Sequence, residues 1–367
     1  MWNDIYRYLL LIVIVVTFVF GLALLLIKIP QSQDLKKYGT FRMIAAFTYL
    51  SLCAVNLLEI LSQGGEVNIR LARCLTLSMG VLQAFLLTYS YLTLLNPSYI
   101  THERITCNLV HVFIITLVTF SSYLFPDNTL YFNWTYTTMS IYYVFMMIWY
   151  TYLFLKIYKQ YLYKVDNFYS ETEFVRMRWV YISFFASLLV GVFSVVSVIF
   201  IGSIIATVIF SAYVIVFYSY YGVRFINYPF RFHFIAPLLK EQDKSDKAIK
   251  SEEDKKYVLL EVSIQQWIGE RKFKKSGITI EEVARQLGTN RTYLSNYINK
   301  EKNQTFRNWI HGLRIENSKQ MLTENPLMCI EKLAHHVGYN DCDSFHKQFE
   351  KQTGMTVNAW KDGKSII

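Results

Sequence analysis

Cysteine is scarce in this sequence, with five residues among 367, and none of them forms a Cys-x-x-Cys pair or has a histidine at metal-ligand spacing. The adjacent His335 and His336 would point about 100° apart on a helix, so they cannot hold one metal ion together. We therefore expect ordinary buried thiols, no metal site and no cofactor.

The sequence also lacks the residue groupings of common enzymes. It contains no kinase motif and no phosphate-binding loop, and its apolar part shows no Ser/His/Asp grouping and no paired carboxylates. We expect no catalytic residues and predict that the protein is not an enzyme.

Charge is scarce in one part of the chain only. Residues 1–239 hold 15 Lys or Arg and 9 Asp or Glu, whereas the shorter stretch 240–367 holds 22 and 18. Because 53% of the whole chain is hydrophobic and most of that excess precedes Phe232, the sequence predicts two parts of different character.

The first part contains apolar stretches long enough to cross a bilayer core, which needs about 20 helical residues. Their composition predicts a transmembrane bundle over residues 1–225. The last two stretches are also compatible with one re-entrant hairpin, because only residues 200–202 separate them. The seven predicted spans are 9–27, 43–61, 74–95, 105–125, 135–155, 179–199 and 203–221.

Basic residues in the loops predict the orientation of the spans. The loops 28–42, 96–104 and 156–178 hold ten Lys or Arg, against three on the opposite side. By the positive-inside rule the N-terminus lies outside and everything after Tyr221 lies in the cytoplasm. The predicted location is the bacterial cytoplasmic membrane, with the lipid bilayer as a partner.

Two sets of residues within the spans have alternative interpretations. Small residues recur at helical spacing in the sixth span and indicate close helix packing within the bundle, or else a homodimer contact. Polar residues indicate a signal-binding cavity, although each also has an ordinary structural explanation. The small residues are Ser183, Ser187, Gly191 and Ser194; the polar residues are Asn56, Glu59, Gln83, Asn108 and His111.

Residues 226–256 connect the two parts. Tyr228 to Leu239 combines aromatic, basic and proline residues, which is typical of a segment at the inner membrane surface. Lys240 to Lys256 is a polar run of mixed charge that predicts a flexible tether, with an exposed helix as the alternative.

The domain predicted over 257–367 begins with an amphipathic helix from Tyr257 to Phe273 and continues with two similar units. Ala284 and Gly288 of the first unit recur 50 residues later as Ala334 and Gly338. A small residue at a helix crossing and a glycine in a tight turn predict a helix-turn-helix. Asn290 and Asn340 are predicted to cap the second helix of each unit.

A helix from Phe306 to Leu322 is predicted to join the two units. The fold predicted for the whole chain is therefore all-α: a seven-helix transmembrane bundle followed by a cytoplasmic domain of two helix-turn-helix units joined by a long helix.

Residues 278–361 resemble the C-terminal DNA-binding domain of AraC/XylS-type transcription regulators. Val357 and Lys361 depart from the usual proline and arginine of that family. The segments that carry the resemblance are Thr-Asn-Arg-Thr-Tyr-Leu-Ser at 289–295, Phe-Arg-Asn-Trp-Ile at 306–310, Leu-Arg-Ile-Glu at 313–316 and Val-Gly-Tyr-Asn at 337–340, with Ser344, Phe345, Phe349, Lys351, Thr353 and Gly354.

The resemblance implies double-stranded DNA as a partner and indicates which residues face it. Asp343 could accept a hydrogen bond from cytosine, and Lys347 suits guanine or phosphate. The expected DNA-facing residues are Arg291, Thr292, Ser295 and Asn296 in the first unit, and Asp343, Ser344, His346 and Lys347 in the second.

The leading hypothesis is a membrane-anchored transcription regulator whose bundle senses a small molecule, a lipid or a protein. One alternative is a membrane enzyme or transporter with a fused regulatory module. Another is a bundle that serves only as an anchor or dimerisation platform.

Overall fold

The computed structural model describes most of the chain, and these residues form two compact units, 1–161 with 177–240 and 162–176 with 241–367. Across the described residues we find 14 α-helices and no strand beyond a single β-bridge, which confirms the all-α prediction. The described ranges are 2–27, 36–62, 69–125, 129–171, 174–199, 204–227 and 253–364.

The first unit is built from long apolar helices, and each predicted span lies within one of them, apart from at most two residues at one end. Six are long and apolar enough to cross a membrane, while the described apolar stretch of the sixth helix, Arg178–Ser194, is shorter. The helices are α1 Trp2–Leu26, α2 Lys36–Ser62, α3 Ile69–Leu95, α4 His102–Tyr123, α5 Thr129–Asp166, α6 Phe174–Ile199 and α7 Ile204–Ile226.

Helix α3 lies at the centre of this unit, because 61% of its apolar stretch is buried, against at most 39% in the other five spanning candidates. It packs against α2 and α4. The outward faces of the helices are also apolar, as Phe18 on α1, Phe113 on α4 and Trp149 on α5 show. A helix that is apolar on both its inner and outer faces is typical of a membrane bundle.

The small residues of α6 are used within this bundle. Tyr91 of α3 donates a hydrogen bond to the carbonyl of Ser183, and a Cβ atom on Gly191 would lie 2.9 Å from the hydroxyl of Tyr143. Both Ser183 and Ser194 are buried. Packing inside the bundle therefore accounts for Ser183, Gly191 and Ser194.

In its described residues the second unit holds seven α-helices, together with the end of α5, residues of the following loop and the start of α6. Helix α8 begins at Glu253, inside the stretch predicted as a tether, whereas residues 228–252 of the predicted connection lie outside the described residues. The helices are α8 Glu253–Gly269, α9 Ile280–Gln286, α10 Arg291–Glu301, α11 Phe306–Glu324, α12 Ile330–His336, α13 Cys342–Thr353 and α14 Val357–Lys364.

Helix α11 organises the core of this unit. At its start, Trp309 stacks on Trp267 of α8 with ring centroids 5.7 Å apart. Towards its end, Ile315 and Leu322 pack against Leu333, Phe345 and their buried neighbours. One continuous helix thus packs against α8 and against helices of both helix-turn-helix units.

Candidate nucleic-acid interface

The first helix-turn-helix consists of α9 and α10. Ala284 is buried at the helix crossing, and Gly288 adopts the positive φ of 67° that the turn requires. The side chain of Asn290 accepts a hydrogen bond from the backbone N–H of Tyr293 at 2.8 Å, so it caps α10 as predicted.

The second helix-turn-helix, α12 and α13, repeats this plan with one difference. Ala334 is buried and Gly338 has a φ of 103°. The cap of α13 is Asp341, which accepts hydrogen bonds from the N–H and the hydroxyl of Ser344. The prediction of Asn340 as the cap was wrong, because the turn is one residue longer here than in the first helix-turn-helix.

Helices α10 and α13 present most of the predicted DNA-facing side chains to solvent at least in part. Asn296, Asp343 and Lys347 are exposed, while the other five are half-buried. Two hydroxyls already have local partners: Ser295 accepts a hydrogen bond from Asn299, and Ser344 donates to Asp341. The two sets lie on different helix-turn-helix units, which would place them in separate segments of a DNA groove.

Arg291 has a contact that sequence reasoning missed. Its guanidinium carbon lies 4.2 Å from the ring centroid of Phe168, a buried residue of the loop after α5. This geometry is a cation–π interaction.

Residues 162–171, which we call the strap, pack along the DNA-binding domain within the second unit. Tyr169 and Thr279 form an antiparallel β-bridge. The carbonyl of Phe168 accepts from the N–H of Ile280 at 3.0 Å, and the N–H of Ser170 donates to the carbonyl of Ile278 at 3.2 Å. No periodicity connects residues more than 100 positions apart, so the sequence offered no sign of this contact.

Three polar side chains lie along one face of α11, at positions 307, 311 and 314. His311 is buried and shares a 3.0 Å hydrogen bond with the hydroxyl of Tyr339. Burial, followed by the charges of Arg307, Arg314 and Lys351, lowers the pKa of His311 to about 3, so its ring is neutral at physiological pH.

Arg314 is fully buried next to the turn that follows α8. It donates hydrogen bonds from Nε to the carbonyl of Phe273 at 3.0 Å and from Nη2 to that of Lys275 at 2.7 Å. Burial lowers the pKa of Arg314, but an arginine stays charged in a protein. Its Nη1 has no hydrogen-bond partner in the described part of the chain and lies 3.9 Å from Oε1 of Glu171 in the strap.

The candidate signal-binding residues have different hydrogen-bond partners in the structure. Gln83 is buried and fully engaged: it donates to the carbonyl of Thr48 and the hydroxyl of Ser51, and it accepts from Tyr218. Asn108 belongs to a separate network with Tyr89 and Tyr150.

The remaining three candidates lie elsewhere on the helices. Asn56 donates to the carbonyl of Leu52 one turn earlier, His111 is exposed and bonds to the carbonyl of Cys107, and Glu59 is half-buried. Asn56, Gln83 and Asn108 therefore have the ordinary structural roles that were the alternative to ligand binding, and the structure does not test a signal-binding role.

Comparisons with known proteins concern the C-terminal part of the chain. A family model described as a helix-turn-helix domain matches residues 283–363. An uncharacterized HTH-type transcriptional regulator in the cgkA 5′ region of Pseudoalteromonas carrageenovora is 31% identical over 124 residues, which are 34% of this chain and 72% of that protein.

Two further relatives match over shorter stretches. The Msm operon regulatory protein of Streptococcus mutans is 28% identical over 23% of this chain and 31% of its own length. The uncharacterized HTH-type transcriptional regulator YtdP of Bacillus subtilis is 29% identical over 24% of this chain and 12% of its own length. The chain thus spans less than a third of these two relatives, and no solved structure matches it significantly.

Proposed function

Because the chain belongs to the helix-turn-helix transcriptional regulators and its C-terminal domain is of the AraC type, we propose that it regulates transcription from the bacterial cytoplasmic membrane. The observation that carries this proposal is the pair of recognition helices, α10 and α13, held on one connecting helix in a chain whose other unit is a bundle of apolar helices.

The spacing of the two helix-turn-helix units along α11 suits two adjacent DNA elements. Helix α11 has 19 residues and is about 28 Å long at 1.5 Å per residue. Major-groove segments on one face of DNA are about 34 Å apart, so a spacer of this size allows one chain to contact two of them. Asn296 and Lys347 are exposed on the two helices and are the side chains best placed to reach bases or phosphates.

The outer surface of the first unit supports its placement in a bilayer. Large apolar side chains are exposed on α1, α4 and α5, an arrangement that soluble monomers rarely show over an extended surface. Seven spans with the N-terminus outside would place the DNA-binding domain in the cytoplasm, where the chromosome is reachable.

In this proposal the bundle senses a small molecule, a lipid or a protein and thereby alters DNA binding. Homodimerisation in the membrane is an additional element of it, since paired chains would bind longer operators. A bundle that serves only as an anchor predicts unchanged target transcription when it is replaced by an unrelated membrane anchor, and this replacement separates the two roles.

The DNA-binding proposal is tested by selecting bound sequences from random duplex DNA with the full-length chain in lipid nanodiscs, at several salt concentrations. We expect enrichment of a site with two elements about one helical turn apart. Asn296→Ala should relax the preference at one or two base pairs, and Lys347→Ala should weaken binding or lower its salt dependence.

Glu281→Ala is a suitable control, because this exposed residue lies on α9 and outside the predicted interface. Its enriched site should equal that of the unaltered chain. Weak, salt-sensitive binding without enrichment of any sequence would contradict the proposal.

A further inference from the structure

The strap supplies two carboxylates to α11, the helix that joins the two DNA-binding units. Asp166 forms an ion pair with Arg307 and accepts a 3.0 Å hydrogen bond from its Nη1, and Glu171 forms an ion pair with Arg314, seven residues further along α11. Residues seven apart lie on the same face of a helix. The strap therefore contacts one face of α11 at two points, two helical turns apart.

Glu171 also connects two distant parts of the domain. One carboxylate oxygen accepts from the hydroxyl of Ser276 and from the N–H of Gly277, both at 2.8 Å, immediately before the first helix-turn-helix. The other oxygen accepts from the side chain of Asn340, in the turn of the second helix-turn-helix. A single side chain thus bridges the segment before the first helix-turn-helix and the turn of the second.

The buried guanidinium makes this bridge important for the domain. A buried charge is costly unless it is paired and hydrogen-bonded. Within the described residues, Glu171 is the one carboxylate that forms an ion pair with Arg314. Removing it would leave a buried cation with two backbone carbonyls and no counter-ion.

The strap also contacts a residue of the proposed DNA interface, because the Phe168 ring lies against the guanidinium of Arg291 at the start of α10. Stacking on an aromatic face restricts the orientation of the guanidinium. The strap therefore bridges the two helix-turn-helix units and also orients one of the side chains expected to face DNA.

We propose that the strap, residues 162–171, is an intramolecular clamp that completes the DNA-binding domain and holds its two helix-turn-helix units in the arrangement that binds a two-element site. This inference rests on the proposed DNA-binding function and adds a regulation to it. Because α5 is one continuous helix whose last residues, 162–166, belong to the strap, the clamp is directly attached to a span of the proposed membrane bundle.

The clamp is tested with the full-length chain in nanodiscs by Glu171→Gln and Asp166→Asn, which keep side-chain size and remove charge. We expect hydrogen exchange at the N–H groups of Gly277 and Ile280 to rise about tenfold, and affinity for the selected two-element site to fall about five- to tenfold. Glu281→Gln removes a carboxylate from the same domain outside the strap contacts and should change neither quantity.

A charge exchange keeps the proposal testable if a single substitution harms folding. Arg307→Asp alone should weaken DNA binding, and combining it with Asp166→Arg should recover affinity by restoring the ion pair. Unchanged exchange at Gly277 and Ile280 in Glu171→Gln would overturn the clamp, and so would raised DNA affinity, since the strap would then inhibit binding.

DNA selection with the unaltered chain distinguishes failure of the clamp from failure of the proposed DNA-binding function. If the unaltered chain enriches no DNA sequence, the proposed function is refuted and the clamp with it. If it binds a two-element site and Glu171→Gln binds that site equally well, the clamp alone is refuted.

Discussion

Gly288 and Gly338 occupy the same turn position in the two helix-turn-helix units, but their surroundings differ. Both have positive φ, 67° and 103°. A Cβ atom on Gly288 would meet nothing within 4 Å, whereas one on Gly338 would lie 2.3 Å from the backbone carbonyl oxygen of Lys274. A residue with a side chain would have a strained backbone at either position. Of the two, only position 338 also lacks space for a Cβ atom.

This difference predicts unequal effects of alanine at the two positions. Gly288→Ala should cost about 1 kcal/mol, from the left-handed backbone alone. Gly338→Ala should cost at least about 3 kcal/mol, because the backbone of residue 274 must also move. Native-state hydrogen exchange in α9 and α12 of the full-length chain measures both; equal costs would contradict the assigned contact.

At the level of single elements, the start of α13 distinguishes two adjacent side chains with different functions. Asp341→Ala should destabilise α13 by about 1 kcal/mol, since it removes the cap of that helix. Asn340→Ala should leave α13 unchanged and raise exchange at Gly277, because Asn340 bonds to Glu171 and Ser276.

Exchange rates of the Ser344 and Gly277 N–H groups separate these effects. Asn290→Ala serves as the matched control, since it should loosen α10 without affecting either site. Fraying of α13 in Asn340→Ala would show that this side chain caps the helix after all.

Sequence patterns predicted the elements of this protein better than the contacts between them. The repeated Ala and Gly, 50 residues apart, identified both helix-turn-helix units because they mark local requirements of a helix crossing and a tight turn. Asn340 was misassigned because an extra residue in its turn changes which side chain reaches the helix N-terminus.

Glu171 and Phe168 could not be identified from the sequence, since their role arises from tertiary contact with residues more than 100 positions away. Gln83 was recognised as an unusual polar residue in an apolar span. Only the structure shows that all of its hydrogen-bonding groups are used by Thr48, Ser51 and Tyr218.

For the whole molecule, the proposed arrangement in the membrane can be tested with single cysteines in a chain freed of its native ones. Cysteines introduced at Gly65 and Gly202 should react with a membrane-impermeant maleimide added to intact cells, because both positions are predicted to lie outside. A cysteine at Ser98 should react only after lysis.

Position 202 decides between two separate spans and one re-entrant hairpin. Labelling there in intact cells supports separate crossings by α6 and α7. Protection at 202 combined with labelling at 65 would favour the hairpin, and labelling at 98 would reverse the proposed orientation.

The pairing of Glu171 with Arg314 has a consequence for how such genes can evolve by fusion. The segment that the helix-turn-helix family model matches begins at residue 283, yet a recombination that transferred only this segment to another protein would separate a buried guanidinium from its counter-charge. Such a transfer would therefore require the recipient to supply an equivalent acidic loop. Substitutions at positions 166 and 171 should accordingly covary across lineages with those at 307 and 314, even though the two pairs lie in different parts of the gene.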